Sequence, residues 1–131
     1  MKRLTFYFDR NVGVKLPQAL VQLSPPFDVK WHNQMKFPHD MPDDEWLSVV
    51  GPKGWVVIGK DWKFHLIDAE LQAVRQHKIR CLYLPGSGQT RWDTYCRLIR
   101  SHKRIIERCL TEEPPYILDL KMNGQVRKIE I

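Results

Sequence analysis

No stretch of this chain approaches the roughly 18 consecutive apolar residues that would suggest a membrane span. The opening residues, MKRLTFYFDRN, are basic at the start but carry neither a long apolar segment nor a small-residue cleavage site, which argues against a secretory signal. Cysteine is scarce and odd in number: Cys81, Cys96 and Cys109 contain no C-x-x-C pair, so neither a zinc site nor a disulfide frame is expected. They read as reduced, buried thiols of a cytoplasmic protein. His32, His39, His65, His77 and His102 form no H-x-x-x-H or H-E-x-x-H, against a histidine-based metal centre. Gly86-Ser87-Gly88 is too short for a phosphate-binding P-loop and lacks its Gly-Lys-Ser/Thr ending, so a plain loop is expected there. Internal repeats and low-complexity segments are also missing.

What is present suits one soluble domain spanning residues 1–131, with 43% hydrophobic and 27% charged residues. The net charge of +6 is uneven. From Leu71 to Leu110 nine basic residues face only Asp93 and Glu107, a local excess of +7, so the remainder is slightly acidic. A basic patch beside an acidic site suits a polyanion that is held and also cut, whereas solvation of a helix explains the same charges more blandly.

Residues 3–8 read as a strand, and Val12 to Leu23 has helical spacing of apolar residues. Phe27 to Trp31 reads as a second strand, and residues 33–42 as a loop. Asp43-Asp44-Glu45 opens a helix to about Val50, where helix polarity alone accounts for the acids. Trp55 to Ile58 is a buried strand running into Gly59-Lys60-Asp61, Asp68 to His77 a helix, and Ile79 to Leu84 a strand. Thr90 to Leu110 is the longest helical signal, with Arg97, Arg100, Arg104 and Arg108 opposite its apolar stripe. Residues 111–131 form a hairpin extension around Asn123-Gly124, read as a type I′ turn. This alternation implies a mainly parallel sheet with helices on both faces, whose ligands gather at the carboxyl ends of the strands.

Asp9 and Asp61 each follow an apolar strand, and Asp44 with Glu45 starts a helix that can reach the same edge. Carboxylates brought together repel unless protonated or neutralised. A hard divalent cation such as Mg²⁺ or Mn²⁺ is one solution, and Asn11 could add a neutral ligand or position a water. Each acid also has a local explanation: Asp9 as a helix cap, Asp44 and Glu45 through helix polarity, Asp61 as a turn residue. Asp68 and Glu70 are fallback acids that a helix surface explains more simply. The arginine stripe has three readings of equal standing: an RNA backbone, an acidic protein partner, or solvation.

TFYFDRNVGVKLPQAL, MPDDEWLSVV and GWVVIGKDWKF, in that order, resemble the PIN-like domains that include VapC-type toxins. The resemblance covers residues 4–64 well and thins out beyond, so order and spacing carry it rather than any single motif. It implies a three-layer α/β/α sandwich with a mainly parallel sheet, ending here in a C-terminal hairpin. It further implies an Mg²⁺- or Mn²⁺-dependent endoribonuclease, with Asp9, Asp44 and Asp61 as catalytic and metal-holding acids and Glu45 as a further ligand. RNA is the implied substrate and a cognate antitoxin the implied partner, and a homodimer fits as well. The sequence departs from the pattern at Gly59, where Thr is usual, and at Lys63, which replaces the second Asp of Thr-x-Asp-x-Asp-Phe. Lys63 would then contact phosphate, or mark a non-catalytic RNA- or protein-binding module on the same scaffold.

Overall fold

The computed structural model describes residues 3–86 and 88–131; Ser87, in the loop expected around it, lies outside them. Six strands form one sheet in the order β2-β1-β3-β4-β5-β6. They are β1 (Thr5–Phe8), β2 (Asp28–Trp31), β3 (Val56–Gly59), β4 (Arg80–Tyr83), β5 (Tyr116–Leu120) and β6 (Val126–Ile129). The first five run parallel, and β6 returns antiparallel to β5. The helices are α1 (Lys15–Gln22), α2 (Asp43–Val50), α3 (Asp68–Gln76), α4 (Arg91–Arg100) and α5 (His102–Thr111), with short 3₁₀ turns at His32–Met35 and Gly51–Lys53. No helix among the described residues is long and apolar enough to cross a membrane.

The two sheet faces follow from side-chain alternation along the strands. Phe6, Phe8, Val56, Ile58, Leu82 and Leu118 pack on one side against Leu16 and Leu20 of α1, Leu98 of α4 and Ile105 of α5. Tyr7, Val57, Cys81, Tyr83 and Ile117 pack on the other against Trp46, Leu47 and Val50 of α2 and Ala73 and Val74 of α3. The result is the expected α/β/α sandwich. Cys81 and Cys109 are buried and Cys96 is half-buried.

The long helical signal resolves into two helices that meet at Ser101, which leaves helical geometry at φ −96°, ψ 6°. Ser101 is itself buried, so the chain turns there without exposing the stripe. The hairpin turn also differs from expectation. Gly124 N–H donates to Lys121 O at 2.9 Å, and Gly124 has φ 89°. With Asn123 outside the left-handed region, this is a three-residue loop closed by one left-handed glycine, not a type I′ turn. The asparagine instead accepts from Gln125 N–H through its side chain at 2.9 Å.

Candidate active site

Strand alternation, carried one residue past β1, sends Asp9 to the same face as Tyr7, toward α2 and α3. Its N–H donates to Ile58 O at 3.0 Å, which holds that orientation against β3. On α2 the buried residues are Asp43, Trp46, Leu47 and Val50, and on α3 they are Glu70, Ala73 and Val74. Both acids therefore sit at the leading end of a buried helical stripe, at i−3 and i−4 from its apolar members. Each helix starts at the carboxyl edge of the sheet, so three carboxylates from three elements converge there.

Asp9 is 1% exposed, and neither of its oxygens has a hydrogen-bond partner among the described residues. Burial, and then the negative charge of Asp43, raise its pKa to about 6. Burial also raises Glu70 to about 7, reinforced by its hydrogen bond with Asp43 and by that residue's charge. Burial opposes ionisation of Asp43 as well, yet hydrogen bonds from Glu70, Lys63 and Trp46 hold its carboxyl below the usual range. The Trp46 indole N–H donates to Oδ1 at 2.7 Å, and the Lys63 ammonium lies 2.5 Å from Oδ2. Arg10 reaches Oδ1 at 3.3 Å while donating to His39 O at 3.0 Å, which ties the loop before α2 to the site. Burial alone would lower the Lys63 pKa; contact with Asp43, and the charges of Asp9 and Glu70, raise it instead.

The chain turns sharply between Asp61 and Lys63. Trp62 has φ 59°, uncommon for a bulky residue, and its ring stacks on Tyr83 at 5.6 Å. Lys63 enters the acidic centre, whereas Asp61 is exposed and lines a separate cavity of about 470 Å³ with Lys60, Trp62, Asp119 and Lys121. Tyr83 stacks on Trp62 and, at 6.1 Å, on Phe64 to form an aromatic wall, with the Tyr83 hydroxyl 2.9 Å from His65 Nδ1. A Cβ on Gly59 would come within 3.1 Å of the Phe64 ring, so glycine makes room for this wall. Behind it Asp119, buried on β5, pairs with Lys121 at 3.0 Å.

Of the acids expected from sequence, Asp9 lies in the centre, but the residues whose charges act on it are Asp43, Lys63 and Arg10. Asp44 is half-buried and Glu45 exposed, one and two positions beyond the α2 residue that turns inward. Asp43 lies in the first turn of α2, as helix polarity favours, but its carboxylate also engages Lys63, Arg10 and Trp46. Nor does Asp9 cap α1, whose N-cap is Val14. Glu70, a fallback on sequence grounds, is buried, and Asp68 is exposed. Asp43 and Glu70 were findable, because each shares the phase of its helix's apolar residues.

Asn11 lines another hollow, of about 380 Å³, with Arg10, Lys15, Lys60, Arg91 and Tyr95, so it faces a basic groove. The arginine stripe is largely engaged within the fold. Arg104 donates to Gly124 O at 2.6 Å and Arg108 to Val126 O at 2.7 Å, while Arg97 lies over the hairpin turn. Arg100 is exposed.

Among the described residues no three His, Cys, Asp or Glu side chains form a ready metal cage. The donor chemistry nevertheless fits a hard cation, because both Asp9 oxygens and Glu70 Oε2 are buried without a hydrogen-bond partner. A family model described as a PIN like domain matches residues 4–86. No curated protein and no solved structure matches the chain with significance.

Proposed function

Because this chain belongs to the PIN-like domain family, we propose that its acidic edge hydrolyses RNA phosphodiester bonds as an endoribonuclease. The observation that carries the reading is the carboxylate of Asp9, buried without a partner at the end of a parallel strand and flanked by Asp43 and Glu70. Asp9 and Glu70 would hold Mg²⁺ or Mn²⁺. Such an ion supplies Lewis acidity and lowers the pKa of an attacking water.

The chain's own residues do the rest. Arg10, Lys15, Lys60 and Arg91 line a groove beside the acids that suits a phosphate backbone, with Tyr95 available for a base to stack on. Asp43 orients Lys63 and Arg10, and the half-buried Lys63 ammonium is within reach of a phosphate oxygen entering the centre. A toxin role in a toxin–antitoxin pair, a cytoplasmic setting, and a cognate antitoxin or second copy as partner belong to the same proposal.

A second reading, a non-catalytic RNA- or protein-binding module, is favoured by one observation: Lys63 already neutralises Asp43 at 2.5 Å. Labelled RNA incubated with Mn²⁺, Mg²⁺ or EDTA separates the two. Metal-dependent cutting that disappears in Asp9→Asn supports the nuclease. Binding without cutting, indifferent to that substitution, leaves the module.

A further inference from the structure

The acidic centre carries its own cation. All three acids act on Lys63: its ammonium touches Asp43, and the charges of Asp9 and Glu70 act on it. Its side chain is about a quarter exposed, so the charge sits at the mouth of the centre rather than out in solvent. The inward path depends on an unusual backbone. Trp62 holds a left-handed conformation, pinned by stacking on Tyr83 and by an edge contact with His65. That conformation separates the two flanking side chains, sending Asp61 outward and Lys63 inward. Asp9 is buried with both oxygens unpartnered among the described residues, so the centre has oxygen donors to offer a cation.

We propose that Lys63 is a built-in counter-ion of the Asp9–Asp43–Glu70 centre, and that a divalent cation enters only by displacing its ammonium from Asp43. Two cations compete for one set of oxygens, and like charges at contact distance exclude each other strongly where water is sparse. The exchange makes and breaks no covalent bond: the ion would gain carboxylate oxygens, and Lys63 would move outward with its proton. Metal affinity in the native chain is therefore weak by design, and substrate phosphate offers the displaced ammonium a new partner. This inference rests on reading the same edge as the functional centre, but it concerns binding and needs no catalysis.

The test is Mn²⁺ binding to the full chain, followed by electron paramagnetic resonance of the free ion, without RNA. Lys63→Met keeps the aliphatic stem and removes the charge, and it is expected to bind Mn²⁺ at least about tenfold tighter than the native chain, a difference of about 1.4 kcal/mol. Lys63→Arg keeps the charge and should stay weak. Equal or weaker binding by Lys63→Met overturns the proposal. If that variant does not fold, the native chain decides the matter through the acylation rate of Lys63, read by mass spectrometry. Mn²⁺ should raise the rate severalfold by freeing the amine, and an unchanged rate refutes displacement. Tighter Mn²⁺ binding by Lys63→Met without RNA cutting by any form would keep this inference and end the nuclease reading. Metal-dependent cutting by the native chain, with no gain in Mn²⁺ affinity on removing Lys63, would do the reverse.

Discussion

The N–H of Asp9 donates to the carbonyl of Ile58 at 3.0 Å, extending the β1–β3 ladder one residue past the end of β1. That bond commits the Asp9 carboxyl to the buried side of the sheet, where it has no partner among the described residues. Its pKa is raised from 3.8 to about 6, so between those values the folded chain binds a proton that the unfolded chain has lost. Stability contributed by the protonated form is complete below the unfolded pKa and is lost as pH rises through the folded one. Asp9→Asn should thus be more stable than the parent at pH 7.5, by on the order of 2 kcal/mol, with the gain fading as pH falls from 6 toward 4. Urea unfolding in EDTA at several pH values measures this. A gain that does not depend on pH would show that Asp9 is not held as a strained acid.

The centre built by the fold differs from the set of acids read off the motifs, and activity distinguishes them. If Asp9, Asp43 and Glu70 form the working group, Glu70→Gln should lower RNA cutting by a factor of about 100 or more, in the range lost with a positioned acid or base. Asp61→Asn, in a cavity lined by Lys60, Trp62, Asp119 and Lys121, should change it by no more than about threefold, within about 0.7 kcal/mol. Rates at saturating RNA decide it. The reverse ranking would return Asp61 to the centre and set aside the present assignment.

The architecture was legible because strand and helix periods differ and the connections are short. TFYF, WVVI and the Asn123-Gly124 hairpin each declared their element locally. The site was less legible because acids were judged by their place after strands, whereas burial was decided by helical phase. Asp43 and Asp44 are adjacent and chemically alike, yet a step of about 100° around the helix sends Asp43 to Trp46 and Lys63 and leaves Asp44 half outside. The placement of Asp61 was hidden for another reason. A left-handed residue at Trp62 is not something a tryptophan announces, so the reversal from Asp61 to Lys63 appears only once the Tyr83 stack is known.

Gly59 also makes sense only in three dimensions. A Cβ there would press on the Phe64 ring at 3.1 Å and touch Tyr83 at 3.8 Å. Gly59→Thr, which restores the residue usual at this motif position, should therefore destabilise the chain by about 1–3 kcal/mol through overpacking. Thermal unfolding, together with near-ultraviolet circular dichroism of the aromatic wall, reports it. An unchanged melting temperature with an intact aromatic signal would mean that the ring gives way freely and the wall is not a fixed partition.

Arg104 and Arg108 provide the remaining contrast with the surface-stripe reading. A guanidinium on α5 donating to a carbonyl of the terminal hairpin is a tertiary fastening, since it satisfies main-chain acceptors at Gly124 and Val126. Arg108 also pairs with Glu112 at 3.0 Å, and Glu112 reaches Lys128 on β6 at 3.2 Å, so helix and edge strand share one small charge network. Arg108→Met keeps much of the aliphatic stem and removes the donors, which should cost about 1–2 kcal/mol. Arg100→Met, on an exposed position of α4, should cost no more than about 0.5 kcal/mol. If RNA runs along this face, the ranking reverses in a binding assay. Arg100→Met would then reduce the slope of log affinity against log salt by up to about 0.7, as loss of one phosphate contact on a single strand requires, while Arg108→Met leaves it unchanged. Equal stability losses at both positions would mean that the hairpin is not fastened by these hydrogen bonds.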